Sequence, residues 1–297
     1  LGELEQAVAA YEMAIHCEPQ LALAYLALAD AFRFLDRVDD EVCAYQKAVA
    51  LDPANAGLDA AVKLAVRYYL QDNFEQCRSM LLISEPVLAT TDDMYDSSRI
   101  YHRYLHSLLS WHPRTTQSSA LPEIMETLHV IGESHALSAH RAVVCYRGRV
   151  MQCVAQWIAG CKQWHLGNSK RNKYKVKFEA VMKVLPRGST ILLTIGEIDC
   201  RPGEGILKAW TKTPDKSLDE VAHATAENYV QYVADVGARY GHQLVVEGVP
   251  AVSPLRDHAT REAGEELVYL VRTFNAVLKG LTLTAGMDFL DVYALTD

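Results

Sequence analysis

Thr190-Ile-Leu-Leu-Thr-Ile-Gly-Glu-Ile-Asp-Cys-Arg201 decides the fold of the second half of this chain. Its first six residues are apolar or β-branched without a break, as in a strand buried on both faces. Gly196 stops the run, and three charged residues follow within five positions. A strand covered on both faces belongs to a sheet with helices above and below it.

Working outward, Leu128–Ile131 is a short apolar run that stops at Gly132, and Arg141–Tyr146 reads as a second strand. Gln243–Val249 and Asp288–Val292 are further strands. Periodic helical runs fill the gaps, at Asn172–Val184 and Arg261–Leu278. A third opens on the capping box Ser217-Leu-Asp-Glu220 and stops at Gly241. Strands alternating with helices predict right-handed βαβ units and a parallel sheet. Ligands of such sheets sit at the carboxyl ends of the strands. The residues to read for function are therefore Gly132-Glu-Ser-His135, Gly196-Glu-Ile-Asp-Cys-Arg201 and the turn at Pro250.

The first half is periodic in a different way. Tyr11, Ala14 and Pro19 recur 34 residues on as Tyr45, Ala48 and Pro53, with Tyr25, Leu28, Ala29 and Phe32 between them. Small residues let paired helices approach, aromatics fill the gap between pairs, and each proline ends a helix it cannot continue. This pattern resembles the tetratricopeptide repeat (TPR). Leu1–Pro19 reads as the back half of a unit. Beyond Ala56 the consensus decays, with Leu64, Tyr68, Tyr69, Phe74, Cys77, Met80 and Leu81 as a degenerate third unit. A further stripe runs through Ile100, Tyr104, Leu105, Leu108 and Leu109, and atypical terminal repeats are common in such arrays. The resemblance implies a protein or peptide partner on the concave face; buttressing of the next domain is the alternative.

His112–Pro122 is polar and proline-bounded and reads as a linker. It divides the chain into a helical repeat domain, residues 1–118, and an α/β domain, residues 122–297. Two domains suit 297 residues. Half the residues are hydrophobic and 22% are charged, which excludes disorder and fibrous folds. No run of about 18 uncharged apolar residues occurs, so no membrane span is expected. The net charge of −8 argues against a nucleic-acid partner. Seven scattered cysteines with no CxxC read as reduced cytoplasmic thiols. The chain begins at Leu1 inside a helical pattern, which reads as a fragment and leaves room for a removed signal peptide.

The strand-end motifs of the second half resemble the SGNH/GDSL hydrolase superfamily, a three-layer α/β fold with a flavodoxin-like parallel sheet. Gly132-Glu-Ser134 matches its G-D-S block, with Glu in place of Asp. The resemblance covers residues 126–297 and implies Ser134 as nucleophile. Gly160, in Trp157-Ile-Ala-Gly-Cys-Lys162, matches the glycine whose backbone N–H serves the oxyanion hole, with Gly148 as the second choice. Gly196-Glu-Ile-Asp199 keeps the Gly and Asp of the G-x-N-D block but has Ile198 where the family's Asn donates. The D-x-x-H block that supplies the family's acid and base is expected beyond Asp297. The implied activity is hydrolysis of a small acyl ester, such as an O-acetylated carbohydrate, with no cofactor. The alternative is a repeat-based interaction protein whose second domain is weak or inactive.

Arg201 is the candidate to replace the missing donor, because a guanidinium stabilises an oxyanion or holds a carboxylate; a structural pair with Glu197 or Asp199 is the alternative. Glu197 and Asp199 are expected to position the loop, and His135 to line the pocket or orient Glu197. His165 and His258 fall on the active edge as candidate substitute bases, with a surface or capped-core histidine the commoner outcome for each. A metal held by His135, Glu197, Asp199 and Cys200 is disfavoured, since no ligand-spacing motif such as HExxH supports it. Trp157, Trp164 and Trp210 flank these motifs and suit either sugar stacking or core packing. The basic run Lys170–Lys177 reads as a solvated helix face, with an anionic glycan or partner as the alternative.

Overall fold

The computed structural model describes residues 2–90, 97–115, 125–252 and 261–296. The chain divides into two units, Leu1–Glu123 and Ile124–Asp297. The first is all helix: α1 (Gly2–Cys17), α2 (Ala22–Leu35), α3 (Val38–Leu51), α4 (Ala56–Leu70), α5 (Phe74–Thr90) and α6 (Ser97–Thr115). Each helix packs on the next, and α4 also meets α2 and α6. Ala29, Ala48, Ala60 and Ala65 are fully buried and allow close helix contact; Tyr45 and Tyr69 fill the larger gaps. Pro19 and Pro53 fall just past the ends of α1 and α3.

Charges inside this array are paired. Asp30 accepts from the Tyr45 hydroxyl at 2.7 Å and from Lys63 at 2.8 Å, and Lys63 also meets Asp59 at 2.7 Å. Burial raises the Asp30 carboxyl, but the cations Arg33 and Lys63 outweigh it and hold the group below its usual range. The expected linker begins too early. Helix α6 runs on through His112–Thr115, and residues 116–122 lie outside the described residues.

The second unit is built on a six-stranded sheet: β1 (Glu126–Gly132), β2 (Val143–Tyr146), β3 (Arg149–Trp157), β4 (Thr190–Thr194), β5 (Gln243–Glu247) and β6 (Asp288–Leu290). The order is β2-β3-β1-β4-β5-β6, parallel throughout except at β2. The helices are α7 (Ser134–Ala139), α8 (Gln163–Gly167), α9 (Lys173–Val184), α10 (Gly205–Trp210), α11 (Leu218–Tyr240), α12 (Arg261–Thr284) and α13 (Tyr293–Thr296). Every residue of β4 is buried, so the centre of the sheet is covered on both faces. The capping box at Ser217 and the left-handed Gly241 bound α11. Among the described residues, no helix is long and apolar enough to cross a membrane.

Arg141–Tyr146 does not supply the second parallel strand. Its Val143–Tyr146 portion is an antiparallel edge, and the strand beside β1 is β3. The cause is the two-residue turn Arg147-Gly148, where φ is 51° and 76°. Two consecutive positive φ values make a tight hairpin turn that sends the chain straight back.

β1 and β4 approach so closely at their carboxyl ends that a side chain at Gly132 has no room. A Cβ there would stand 1.9 Å from Thr194 Oγ1 and 2.5 Å from its carbonyl oxygen. Gly132→Ala is expected to cost about 2–3 kcal/mol by overpacking, read as a lower urea midpoint for the second unit. Gly203→Ala, where a Cβ meets nothing within 4 Å, is the control and should leave the midpoint in place.

Candidate active site

The chain leaves β1 toward β3 on one side and then crosses to β4 on the other. The strand order therefore reverses between β1 and β4, and it is at the carboxyl ends of the strands beside such a reversal that open parallel sheets hold their ligands. Four segments reach this edge. Glu133-Ser-His135 follows β1, Gly160 follows β3, Glu197–Arg201 follows β4, and Glu247 ends β5.

Ser134 is the first residue of α7 and is half-buried. Its backbone N–H and its hydroxyl both donate to Oε2 of Glu133. Glu133 is 1% exposed, and its Oε1 is buried with no hydrogen-bond partner among the described residues. Nδ1 of His135 stands 3.6 Å from that oxygen. Glu247 is pushed up to about 7, first by burial and then by the nearby negative charge of Glu133. The sequence motif contains Glu133 but gives it no role, and Glu247 stands out only as the residue that ends an apolar strand.

Gly160 adopts φ 67° in the turn after β3. Gly148 lies in the β2–β3 hairpin at the other end of that strand, which removes it as the second choice. Gly196 has φ 150°, and a Cβ there would come within 2.8 Å of Gln163 Nε2. Ile198 is buried.

Arg201 pairs with Glu197 by two contacts on Oε2, from Nε at 2.8 Å and Nη2 at 2.6 Å. Asp199 is fully buried and accepts from the backbone N–H groups of Gln163 at 2.7 Å and Trp164 at 3.0 Å. It therefore ties the β4 loop to the start of α8. Gln163 completes the tie by donating to the Ile195 carbonyl at 2.7 Å. Cys200 is buried, and burial drives its thiol well up. Because Asp199 is committed to α8, the grouping of His135 and Glu197 with Asp199 and Cys200 does not form. His135 and Glu197 gather instead with Glu133, one ligand atom from each within 4.8 Å of the others.

His165 is a structural group. Its Nδ1 accepts the Lys162 N–H at 3.0 Å, and its ring stacks on Tyr174 at 3.9 Å. Burial, then Lys162 and Lys173, lower it to about 4. His258 lies outside the described residues. Trp157 is buried at the end of β3, Trp164 is half exposed, and the Trp210 indole donates to the Lys216 carbonyl. The basic run is not wholly solvated: Lys177 is buried, and Lys175 lies over the Tyr232 ring at 4.1 Å.

No model of a known protein family matches the chain, and no curated protein matches it.

Two groups of the α8 corner titrate in opposite senses. Burial raises Asp199 from 3.8 to about 6, so the folded chain holds its proton longer than the unfolded one. Its contribution falls as pH rises from about 4 to 6. His165 is lowered from 6.5 to about 4, so the unfolded chain binds its proton first. Its contribution rises over the same window. Thermal melts across pH 4–6.5 should therefore turn upward with pH in Asp199→Asn and downward in His165→Gln, relative to the native chain.

Proposed function

We propose that the second unit is an SGNH/GDSL-like serine hydrolase that cleaves a small acyl ester. We propose further that the helical unit is a TPR-type module holding a protein or peptide partner. The observation that carries the reading is the half-exposed Ser134 hydroxyl at the switch point, bonded to the buried carboxylate of Glu133. A serine hydroxyl attacks only when a neighbouring base takes its proton. Here Glu133 Oε2 takes it as Oγ bonds to the acyl carbon. The ester C–O bond breaks, and the alcohol leaves with that proton. Water then adds to the acyl-serine, returns its proton through the same carboxylate and releases the acid.

The negative charge that develops on the carbonyl oxygen needs donors that are already in place. Glu133 grips the Ser134 N–H while ionised, and its protonation loosens that grip as the oxyanion forms. Gly160, in the turn that follows β3, is the second backbone donor of this reading. Glu197 and Asp199 hold the β4 loop, and His135 lines the crevice. The acceptor that fits is a polar ester, an O-acetylated carbohydrate among them, with Trp164 available for stacking. No cofactor enters this reading.

One observation favours a second reading, a repeat-based interaction protein with a weak or inactive second unit. Ile198 offers no donor, and Arg201 is engaged by Glu197, so the β4 loop adds nothing visible to an oxyanion hole.

The chain is expected to react with a fluorophosphonate probe and to turn over p-nitrophenyl acetate. Ser134→Ala should abolish both. Glu133→Gln should lower kcat/KM by about 10²–10⁴, the range of general base catalysis. A folded native chain that neither labels nor turns over would sink the hydrolase reading and leave the interaction reading.

A further inference from the structure

Glu133, His135 and Glu197 are brought together by two different strand ends, and hydrogen bonding alone does not account for their arrangement. Oε2 of Glu133 is taken by Ser134. Oε1 points the other way, buried and without a hydrogen-bond partner among the described residues. A buried carboxylate oxygen with no donor is costly, and native structures seldom leave one so. Nδ1 of His135 is the nearby polar atom, but at 3.6 Å it lies beyond hydrogen-bond reach. In a neutral imidazole with its proton on Nε2, that nitrogen and Oε1 face each other lone pair to lone pair. A cation between them removes both penalties at once.

The spacing argues against magnesium, and the donor types decide among the other cations. Ligand atoms held at about 2.1 Å in a tetrahedron stand about 3.4 Å apart, as around zinc. Neighbouring oxygens of an octahedral magnesium site stand about 3.0 Å apart. The observed 3.6 Å fits the tetrahedron better. The third ligand atom, from Glu197, completes a set lying within 4.8 Å. One imidazole and two carboxylates carry a charge that balances a divalent ion, and nitrogen among the donors favours a transition metal over calcium. Arg201 already grips Oε2 of Glu197, the kind of outer partner that orients a ligating carboxylate.

We propose that Glu133 Oε1, His135 Nδ1 and a carboxylate oxygen of Glu197 form a three-ligand site for a zinc-type divalent ion. Its fourth position opens to water or to a substrate oxygen. Glu133 then spans two partners, the ion through Oε1 and Ser134 through Oε2. The site shares its strand ends with the serine reading but does not rest on it, because occupancy is read without any substrate.

The test uses the full chain, stripped with a chelator and dialysed. Isothermal titration with Zn²⁺ should show one equivalent bound per chain. Co²⁺ in its place should give the intense visible bands of a tetrahedral nitrogen and oxygen set, without the charge-transfer band that Cys17, Cys43 or Cys145 would contribute. His135→Ala and Glu197→Gln should each weaken Zn²⁺ binding at least about 10-fold. Ser134→Ala should bind Zn²⁺ like the native chain, even though it should lose any probe labelling, which separates the two readings. The proposal is overturned if the native chain binds no Zn²⁺ or if its Co²⁺ spectrum carries thiolate bands. Native affinity in both ligand variants would overturn it too. The cobalt spectrum of the native chain decides the matter even if a variant fails to fold.

Discussion

The approach of two backbones at Gly132 and Thr194 is the constraint on which the rest of the second unit depends. Hydrogen bonding along β1 and β4 sets the spacing of the strands, but only a residue without a side chain lets the chain turn out of the sheet there. That turn projects Glu133, Ser134 and His135 over the end of β4. Gly196 makes the matching exit on the other strand, where a side chain would strike Gln163. Two glycines thus set how the chain leaves the sheet at the point where the strand order reverses. A bulkier residue at either position would push apart the loops that follow β1 and β4.

Three carboxylates lie at or near this edge, Glu133 and Asp199 buried and Glu247 partly so, and each meets its desolvation differently. Moving an ionised carboxylate from water into an apolar interior costs several kcal/mol even after relaxation. Asp199 offsets this with two backbone N–H donors, each worth about 1.5–3 kcal/mol to a charged acceptor. Glu247 is disposed to keep its proton, because the charge of Glu133 adds to the penalty of burial. Glu133 has donors on one oxygen only.

Much of this was legible in the sequence. The continuous apolar run at Thr190–Ile195, the capping box at Ser217 and the stop at Gly241 read directly because each rests on a local physical preference. β3 did not read so easily, although its signal was present. Met151, Cys153, Ala155 and Trp157 alternate with Gln152, Val154 and Gln156, and the buried set is the first. The more apolar segment before it drew the assignment, and only the two left-handed residues Arg147 and Gly148 reveal the hairpin. At the site, the strand-end position of Ser134 was readable from its flanking glycine. The burial of Glu133 against Ser134 was not. Whether a carboxylate turns into the protein or out to solvent depends on neighbours that arrive from β4 and β5. The same holds for Asp199, whose partners lie on α8 rather than on its own loop.

The sheet order has a kinetic consequence. β1 and β4 are the central pair, yet they are separated in the chain by α7, β2, β3, α8 and α9. Closing loops of that length precedes any reward from the contacts they bring, which makes sheets of this kind slow to form. The helical unit, in which each helix meets the next, faces no such delay. The Glu133–His135–Glu197 cluster exists only once β1 and β4 lie side by side, so a chain arrested before that step carries its helices without its crevice. Assembly of the cluster is in this sense a reporter of β1–β4 pairing, and its appearance after the helical signal would time that event.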